Sequence, residues 1–231
     1  MALLQDGAQV LGLTLPPATL EQFLLYLEEL KRWNERVNLT GLKTDRDIII
    51  KHFLDSLAIL PFLGRPASLA DLGAGAGFPG LVLKLARPEM ALTLVEARGK
   101  KAAFLNYLIS LLNLTEVEVA QIHLTPPLAR NWGPRFAGVV SRATFPLTRF
   151  LELAAPLLLP GGHLLALKGP SLPAGELETA HQRCSQHGLS PLTVQEYRLP
   201  LTGEPRRLIM AHRLTNNDSL RMAVDVRDKA E

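Results

Sequence analysis

Three glycines at alternate positions, Gly73, Gly75 and Gly77, with a fourth at Gly80, separate an apolar run from a helical one. The run before them, Ser68-Leu69-Ala70-Asp71-Leu72, is short and mainly hydrophobic. The run after them, Leu81-Val82-Leu83-Lys84-Leu85-Ala86, has helical character. Strand, glycine loop and helix is the reading these pieces impose. Glycine accepts positive φ and lets a ligand approach main-chain N–H groups that a Cβ would shield, and the helix N-terminus points at the same place. The natural occupant of such a loop is nucleotide-like.

Read from Gly75, the loop spells G-x-G-x-x-G through Gly77 and Gly80, with Glu96 about twenty residues on, as a dinucleotide site asks. Two residues argue against a pyrophosphate. Asp71 closes the strand, where a carboxylate repels phosphates but suits the ammonium and sulfonium charges of S-adenosylmethionine (SAM). Pro79 removes one N–H where the helix begins. A second strand, Ala91-Leu92-Thr93-Leu94-Val95, ends in Glu96, and an acid at that tip can accept both ribose hydroxyls. A tight turn beside a solvated carboxylate is the plain alternative.

The remainder of the chain limits the function classes. A single cysteine, Cys184, excludes an internal disulfide and a cysteine-rich zinc site, and fits a reducing compartment. No apolar run approaches a bilayer span and no early basic cluster marks a leader, so cytoplasmic residence is expected. Net charge is +3, which permits nucleic-acid binding without demanding it. Its distribution is uneven: the first sixty residues hold six basic against eight acidic residues, whereas Arg98, Lys100, Lys101, Arg130, Arg135, Arg142 and Arg149 follow Glu96. A basic N-terminal RNA-binding arm is not supported. No Ser-His-Asp order, metal-ligand cluster or P-loop is present.

Three segments are expected: a helical appendage over 1–64, a catalytic α/β domain over 65–214 and a polar tail over 215–231, frayed from Asn216. After a lead-in, Pro16-Pro17 opens a helix with Leu20, Phe23, Leu24, Leu27 and Leu30 at helical spacing. Thr44 or Asp45 caps a second helix reaching Pro61. From Ser68, strands and helices alternate, with a third strand over 115–120, a loop at Pro126-Pro127, a fourth strand over 136–141, and a fifth after Pro160-Gly161-Gly162. A helix from Ala174 to His187 stops at Gly188. Two strands joined by Thr202-Gly203-Glu204-Pro205 make an antiparallel hairpin. A seven-stranded sheet with that terminal hairpin and an N-terminal helical appendage is the α/β, Rossmann-like arrangement of class I SAM-dependent methyltransferases.

Five motifs then occur in order: Trp33-Asn34 with Asn38-Leu39-Thr40; His52-Phe53-Leu54-Asp55-Ser56; Asp71 through Gly80; Ser141-Arg142-Ala143; and Ala166-Leu167-Lys168-Gly169. Together they resemble the RsmG (GidB) family over nearly the whole chain. The resemblance implies an enzyme that uses SAM to methylate N7 of one guanine in 16S ribosomal RNA, free or in a small-subunit assembly particle, as a monomer and away from membranes. It also implies that Gly73, Phe78, Glu96-Ala97-Arg98, Leu124-Thr125 and Arg142 line the SAM site. One departure stands out: the family usually has Arg-Ala-Glu where this chain has His123-Leu124-Thr125, which leaves contacts there to backbone groups.

Beside that resemblance, the residues give further expectations. Asp71 is expected to attract the methionine ammonium directly or through water, Gly75 to give backbone access, and Arg142, past the fourth strand at the carboxyl edge, to orient SAM or the guanine as the catalytic residue. RNA is expected on Arg98, Lys100, Lys101, Arg142 and Lys168. His52 reads as a structural histidine, and Trp33 and Tyr26 as core aromatics. Two other functions keep a foothold: a small-molecule SAM-dependent methyltransferase, and an NAD-dependent dehydrogenase sharing G-x-G-x-x-G.

Overall fold

The computed structural model describes residues 1–215 and Asp218; the frayed tail expected from residue 216 lies outside them. Its strands are β1 (Ser68–Leu72), β2 (Ala91–Val95), β3 (Val117–Ala120), β4 (Phe136–Arg142), β5 (Leu158–Lys168), β6 (Thr193–Arg198) and β7 (Pro205–His212). They form one sheet in the order β3-β2-β1-β4-β5-β7-β6. The first five run parallel, and β7 lies antiparallel to both β5 and β6. Chain order reverses between β1 and β4, which opens a crevice outside their carboxyl ends.

The helices are α1 (Ala2–Val10), α2 (Pro17–Val37), α3 (Asp45–Ile48), α4 (Asp55–Leu57), α5 (Leu60–Leu63), α6 (Gly80–Ala86), α7 (Gly99–Leu111), α8 (Pro126–Trp132), α9 (Leu147–Ala154) and α10 (Glu176–Arg183). Helices cover both faces of the central strands, so Leu69, Ala70, Asp71 and Leu72 of β1 are wholly inaccessible. Along α2, Phe23, Tyr26, Leu27 and Leu30 fall on one face and are buried. They join Leu4 and Phe53 to Leu81, Leu94 and Leu108 in one hydrophobic cluster. The helices before residue 64 thus share a core with the sheet.

Two short helices escaped the sequence reading. The lead-in forms α1, which has no side-chain cap and is held by packing: a Cβ on Gly7 would stand 2.2 Å from a methyl of Leu54. The loop expected at Pro126-Pro127 is the start of α8, because proline's fixed φ suits the first helical turn, where its missing N–H leaves no intrahelical bond unmade. Strand β5 begins at Leu158, ahead of Pro160-Gly161-Gly162, and its pairing with β4 shifts register between Phe136 and Gly138. The helix capped by Thr44, whose hydroxyl accepts the Asp47 N–H at 3.1 Å, passes from α3 through a π-helical Ile49–Leu54 into α4. That π segment matters, since one extra residue per turn re-aims the side chains that follow, and such segments concentrate at functional sites.

Candidate active site

A cavity of about 410 Å³ opens at the carboxyl ends of β1, β2 and β4. One wall is the glycine loop. Gly73, Gly75 and Gly77 have φ of +73°, +60° and +97°, conformations that L side chains rarely adopt. A Cβ on Gly75 would meet nothing closer than the Gly73 carbonyl at 3.8 Å, so bare backbone faces open space there. The loop's N–H groups, however, are largely satisfied within the protein. Gly73 and Ala74 donate to the Val95 carbonyl, Gly77 and Phe78 to that of Ala74, and Gly75 to Oε2 of Glu96 at 2.9 Å. The N–H cradle expected from sequence is therefore absent from these positions. The loop offers close approach to Cα and carbonyl surfaces, which disfavours a pyrophosphate and with it the dinucleotide reading.

Glu96 is 7% exposed and lines the cavity. Its Oε1 accepts the Arg98 N–H at 2.8 Å, so two backbone donors fix the carboxylate while lone pairs remain for a ligand. Asp71 departs from expectation. It does not line the cavity; it lies beneath the loop, fully inaccessible, with Oδ2 accepting the Gly80 N–H at 2.8 Å and Oδ1 without a protein partner. Burial pushes its carboxyl up to about 7, opposed by that hydrogen bond and by the positive charge of Arg142. Gly80 sits so close that an added Cβ would stand 2.8 Å from the carboxylate, and Asp71 thereby anchors the start of α6.

The facing wall comes from distant parts of the chain. The Asn34 amide brackets Thr40, donating to its carbonyl at 2.9 Å and accepting its N–H at 2.8 Å. Nδ1 of His52 faces the Lys51 carbonyl at 3.1 Å, which can only accept, so Nδ1 carries the ring proton and Nε2 accepts the Thr40 hydroxyl at 2.7 Å, while that hydroxyl accepts the Leu42 N–H. Burial, helped by the Arg142 charge, pulls the His52 imidazole down to about 3 and keeps it neutral. The ring stacks on Phe78 with centroids 4.4 Å apart and lines the cavity. His52 is thus structural, as expected, and also part of the wall.

Arg142 ends β4, which Ser141 ties to β1 by donating its hydroxyl to the Leu72 carbonyl at 2.8 Å. The guanidinium lies over the other ring of this group, 4.9 Å from the Phe78 centroid, and donates to the Lys51 carbonyl at 3.0 Å. Ala143 then turns at φ +51°, and the Thr144 hydroxyl donates to the Arg142 carbonyl at 2.9 Å.

Of the residues singled out from sequence, Gly73, Gly75, Phe78, Glu96, Ala97, Arg98, Leu124 and Arg142 line the cavity, and Lys101 joins them. Thr125 does not; it is the N-cap of α8. Lys100 is exposed outside the cavity. Lys168 is not available to phosphate: its ammonium donates to the Phe145 carbonyl at 2.7 Å and pairs with Glu176 at 3.2 Å, with only 12% of the side chain exposed. Tyr26 and Trp33 pack in the core as expected, Tyr26 stacking on the buried side of Phe78 and donating its hydroxyl to the Ala76 carbonyl. Leu39, Leu72, Ala74, Ala76, Val95, Ile122, His123, Thr144 and Phe145 also line the cavity; Leu39 and His123 stand in segments the resemblance marks, whereas no periodicity or spacing marks Ile122, Thr144 and Phe145. Among the described residues no group of acidic, histidine and cysteine side chains could hold a metal ion, and no helix is long and apolar enough to cross a membrane.

A family profile described as GidB, rRNA small subunit methyltransferase G, matches residues 19–207. A ribosomal RNA small subunit methyltransferase G of Geobacter sp. (strain M21) is 38% identical over 211 residues, 91% of this chain and 96% of that protein. One from Roseiflexus sp. (strain RS-1) is 39% identical over 91% of this chain and 90% of that protein. Among solved structures, an O-methyltransferase from Bacillus cereus in complex with SAH superposes with a TM-score of 0.59 at 17% identity, covering 82% of this chain and 90% of that one. A precorrin-6y C5,15-methyltransferase from Geobacter metallireducens gives 0.53 at 15% identity, over 75% and 91%. These distant structures share the class I SAM-dependent methyltransferase fold.

Proposed function

The chain belongs to the GidB family of small-subunit rRNA methyltransferases, and from that premise we propose that it methylates N7 of one guanine in 16S ribosomal RNA, with SAM held in the cavity between the glycine loop and His52. The observation that carries this reading is the pairing of a bare-backbone loop with a backbone-clamped acid one strand over, facing an aromatic and cationic wall. The residues present fit SAM: Glu96 for the ribose hydroxyls, Gly73 and Gly75 for close approach, Leu124, Val95 and Ile122 as apolar surface for a purine ring. SAM supplies an activated methyl group on a sulfonium.

The protein's own contribution is positioning. Guanine N7 has a lone pair and no proton, so this chain needs no general base; His52 has both ring nitrogens engaged, and Asp71 is sealed beneath the loop. Arg142, held over Phe78, presents hydrogen-bond donors suited to the O6 acceptor of a guanine, which leaves the N7 lone pair free to attack. RNA approaches over Arg98, Lys100 and Lys101, which are solvent-exposed or at the cavity rim and follow the second strand. We further propose that the protein acts as a monomer in the cytoplasm, on RNA within a small-subunit particle.

A thermal-shift series tests the cofactor and substrate together. SAM should raise the melting temperature and NAD should not, and purified protein with SAM should transfer one methyl to small-subunit RNA that lacks the modification. Stabilisation by NAD alone, or transfer only to small molecules, overturns the reading.

A further inference from the structure

Asp55 is the meeting point of three parts of the chain that sequence order keeps far apart. It follows the π-helical segment in the N-terminal helices, and its side chain is 7% exposed. Oδ1 accepts the Tyr197 hydroxyl of β6 at 2.7 Å and lies 3.8 Å from Nε of Arg206 in β7. Oδ2 lies 3.8 Å from the Arg142 guanidinium at the end of β4. Arg206 in turn contacts Glu204 at 3.2 Å, which pairs with Lys51 at 3.3 Å. One buried carboxylate thus faces two arginines and takes one strong neutral donor. A buried ion pair is a poor device for stability alone, since well-packed apolar residues of similar volume usually serve as well or better. The arrangement is better matched to holding a charge in place.

Resting on the reading of Arg142 given above, we propose that Asp55, seated by Tyr197, is the positioning residue that fixes the Arg142 guanidinium against Phe78. The Lys51 carbonyl takes one guanidinium donor and the Asp55 charge opposes the cation, while the Phe78 ring supports its face. Arg142 then has a single orientation toward the cavity, and its positive charge is countered at the end of the site where a sulfonium and a cationic methylated guanine must both be tolerated. The N-terminal helices and the C-terminal hairpin complete this end of the site together.

The test is a set of four variants, D55N, Y197F, R142Q and D55N/R142Q, each assayed for turnover, RNA KM, SAM affinity and melting temperature. The exchange of the Arg142 Nη–H protons, which meet the Lys51 carbonyl and Asp55, is also followed by nitrogen-15 NMR in the protein without SAM or RNA. D55N should lower kcat on the order of a hundredfold, the loss typical of a group displaced by an ångström, with SAM affinity little changed. Y197F should cost about fivefold, the worth of one hydrogen bond. In the R142Q background D55N should cost nothing further. The Arg142 Nη–H protons should be protected in the parent and exchange faster in D55N and Y197F. An equal loss from D55N with and without Arg142 would overturn the proposal by making Asp55 independent of it. If D55N does not fold, parental turnover and an unmoved Arg142 resonance in Y197F overturn it instead. Should R142Q alone turn over at the parental rate, the reading of Arg142 fails first, visibly and separately, and the positioning role falls with it.

Discussion

The two walls of the cavity are made in opposite ways. The glycine-loop wall is local: residues 73–76 and 96–98 come from two adjacent strand ends, and its carboxylate is held by N–H groups two and twenty-one residues from it. The facing wall brings together Thr40, His52, Phe78 and Arg142, with Asp55 and Tyr197 behind them, across separations of up to 142 residues. The first presents carbonyls and an acid, as a ribose requires. The second presents aromatic faces and one countered cation around a histidine kept neutral by burial. On the proposed function, cofactor affinity should belong mainly to the first wall, and turnover and base choice to the second.

Breaking the first wall should have the largest effect on binding. Gly75→Val places a branched side chain on the bare face of the loop and adds about 1–2 kcal/mol of left-handed strain. SAM affinity by calorimetry should fall on the order of a hundredfold or more. Parental affinity in that variant would move the cofactor off this wall. Breaking the second wall should separate from the first: Arg142→Gln should lower kcat on the order of a hundredfold or more while SAM affinity moves much less. Matching losses in both quantities would erase the division of labour.

A third change sharpens the contrast through pH. In the folded protein Asp71 holds its proton up to about 7, whereas the unfolded chain releases it near 3.8. Its stabilising contribution is full below about pH 4 and is lost as pH rises through 7, a change on the order of a few kcal/mol. Asp71→Asn, which can still accept the Gly80 N–H, should flatten that part of the stability profile in urea melts at pH 4 to 8. The same downward slope in the variant would place its origin elsewhere. His52, with its ring pulled from 6.5 to about 3, acts in the opposite sense: its contribution is full above about pH 6.5 and is lost on acidification. The smallest effect is expected outside both walls. Replacing Lys100 and Lys101 together should reduce the slope of log affinity for RNA against log salt by about one to two units. An unchanged slope would move RNA to another face.

These walls also differ in how much of them the chain reveals before it folds. The strand, glycine loop and acid at Glu96 are legible because each is written in contiguous residue types with fixed backbone consequences. So are the alternating strands and the terminal hairpin. Direct contact by Asp71 is not decidable from the sequence because strand position says where a carboxylate stands but not which way it turns; here it turns beneath the loop to meet Gly80. Lys168 misled for a similar reason, since its salt bridge to Glu176 comes from the succeeding helix. His52 and Asp55 were visible as parts of a motif, but their aim depends on a π-helical turn that no periodicity announces. Pro126-Pro127 reads as loop in the sequence because proline marks both loops and first helical turns, and here it starts α8.

The central claim is a transfer to guanine N7 that this chain directs by position alone, with no side chain removing a proton. It is tested most directly by mass spectrometry of 16S RNA treated with enzyme and SAM, using RNA that carries either guanosine or 7-deazaguanosine at the modified position. The account predicts one N7-methylguanine in the first RNA, none in the second, and a transfer rate without a bell-shaped pH profile. Methylation that persists on the deaza base, or a product methylated at an exocyclic amine, would contradict it.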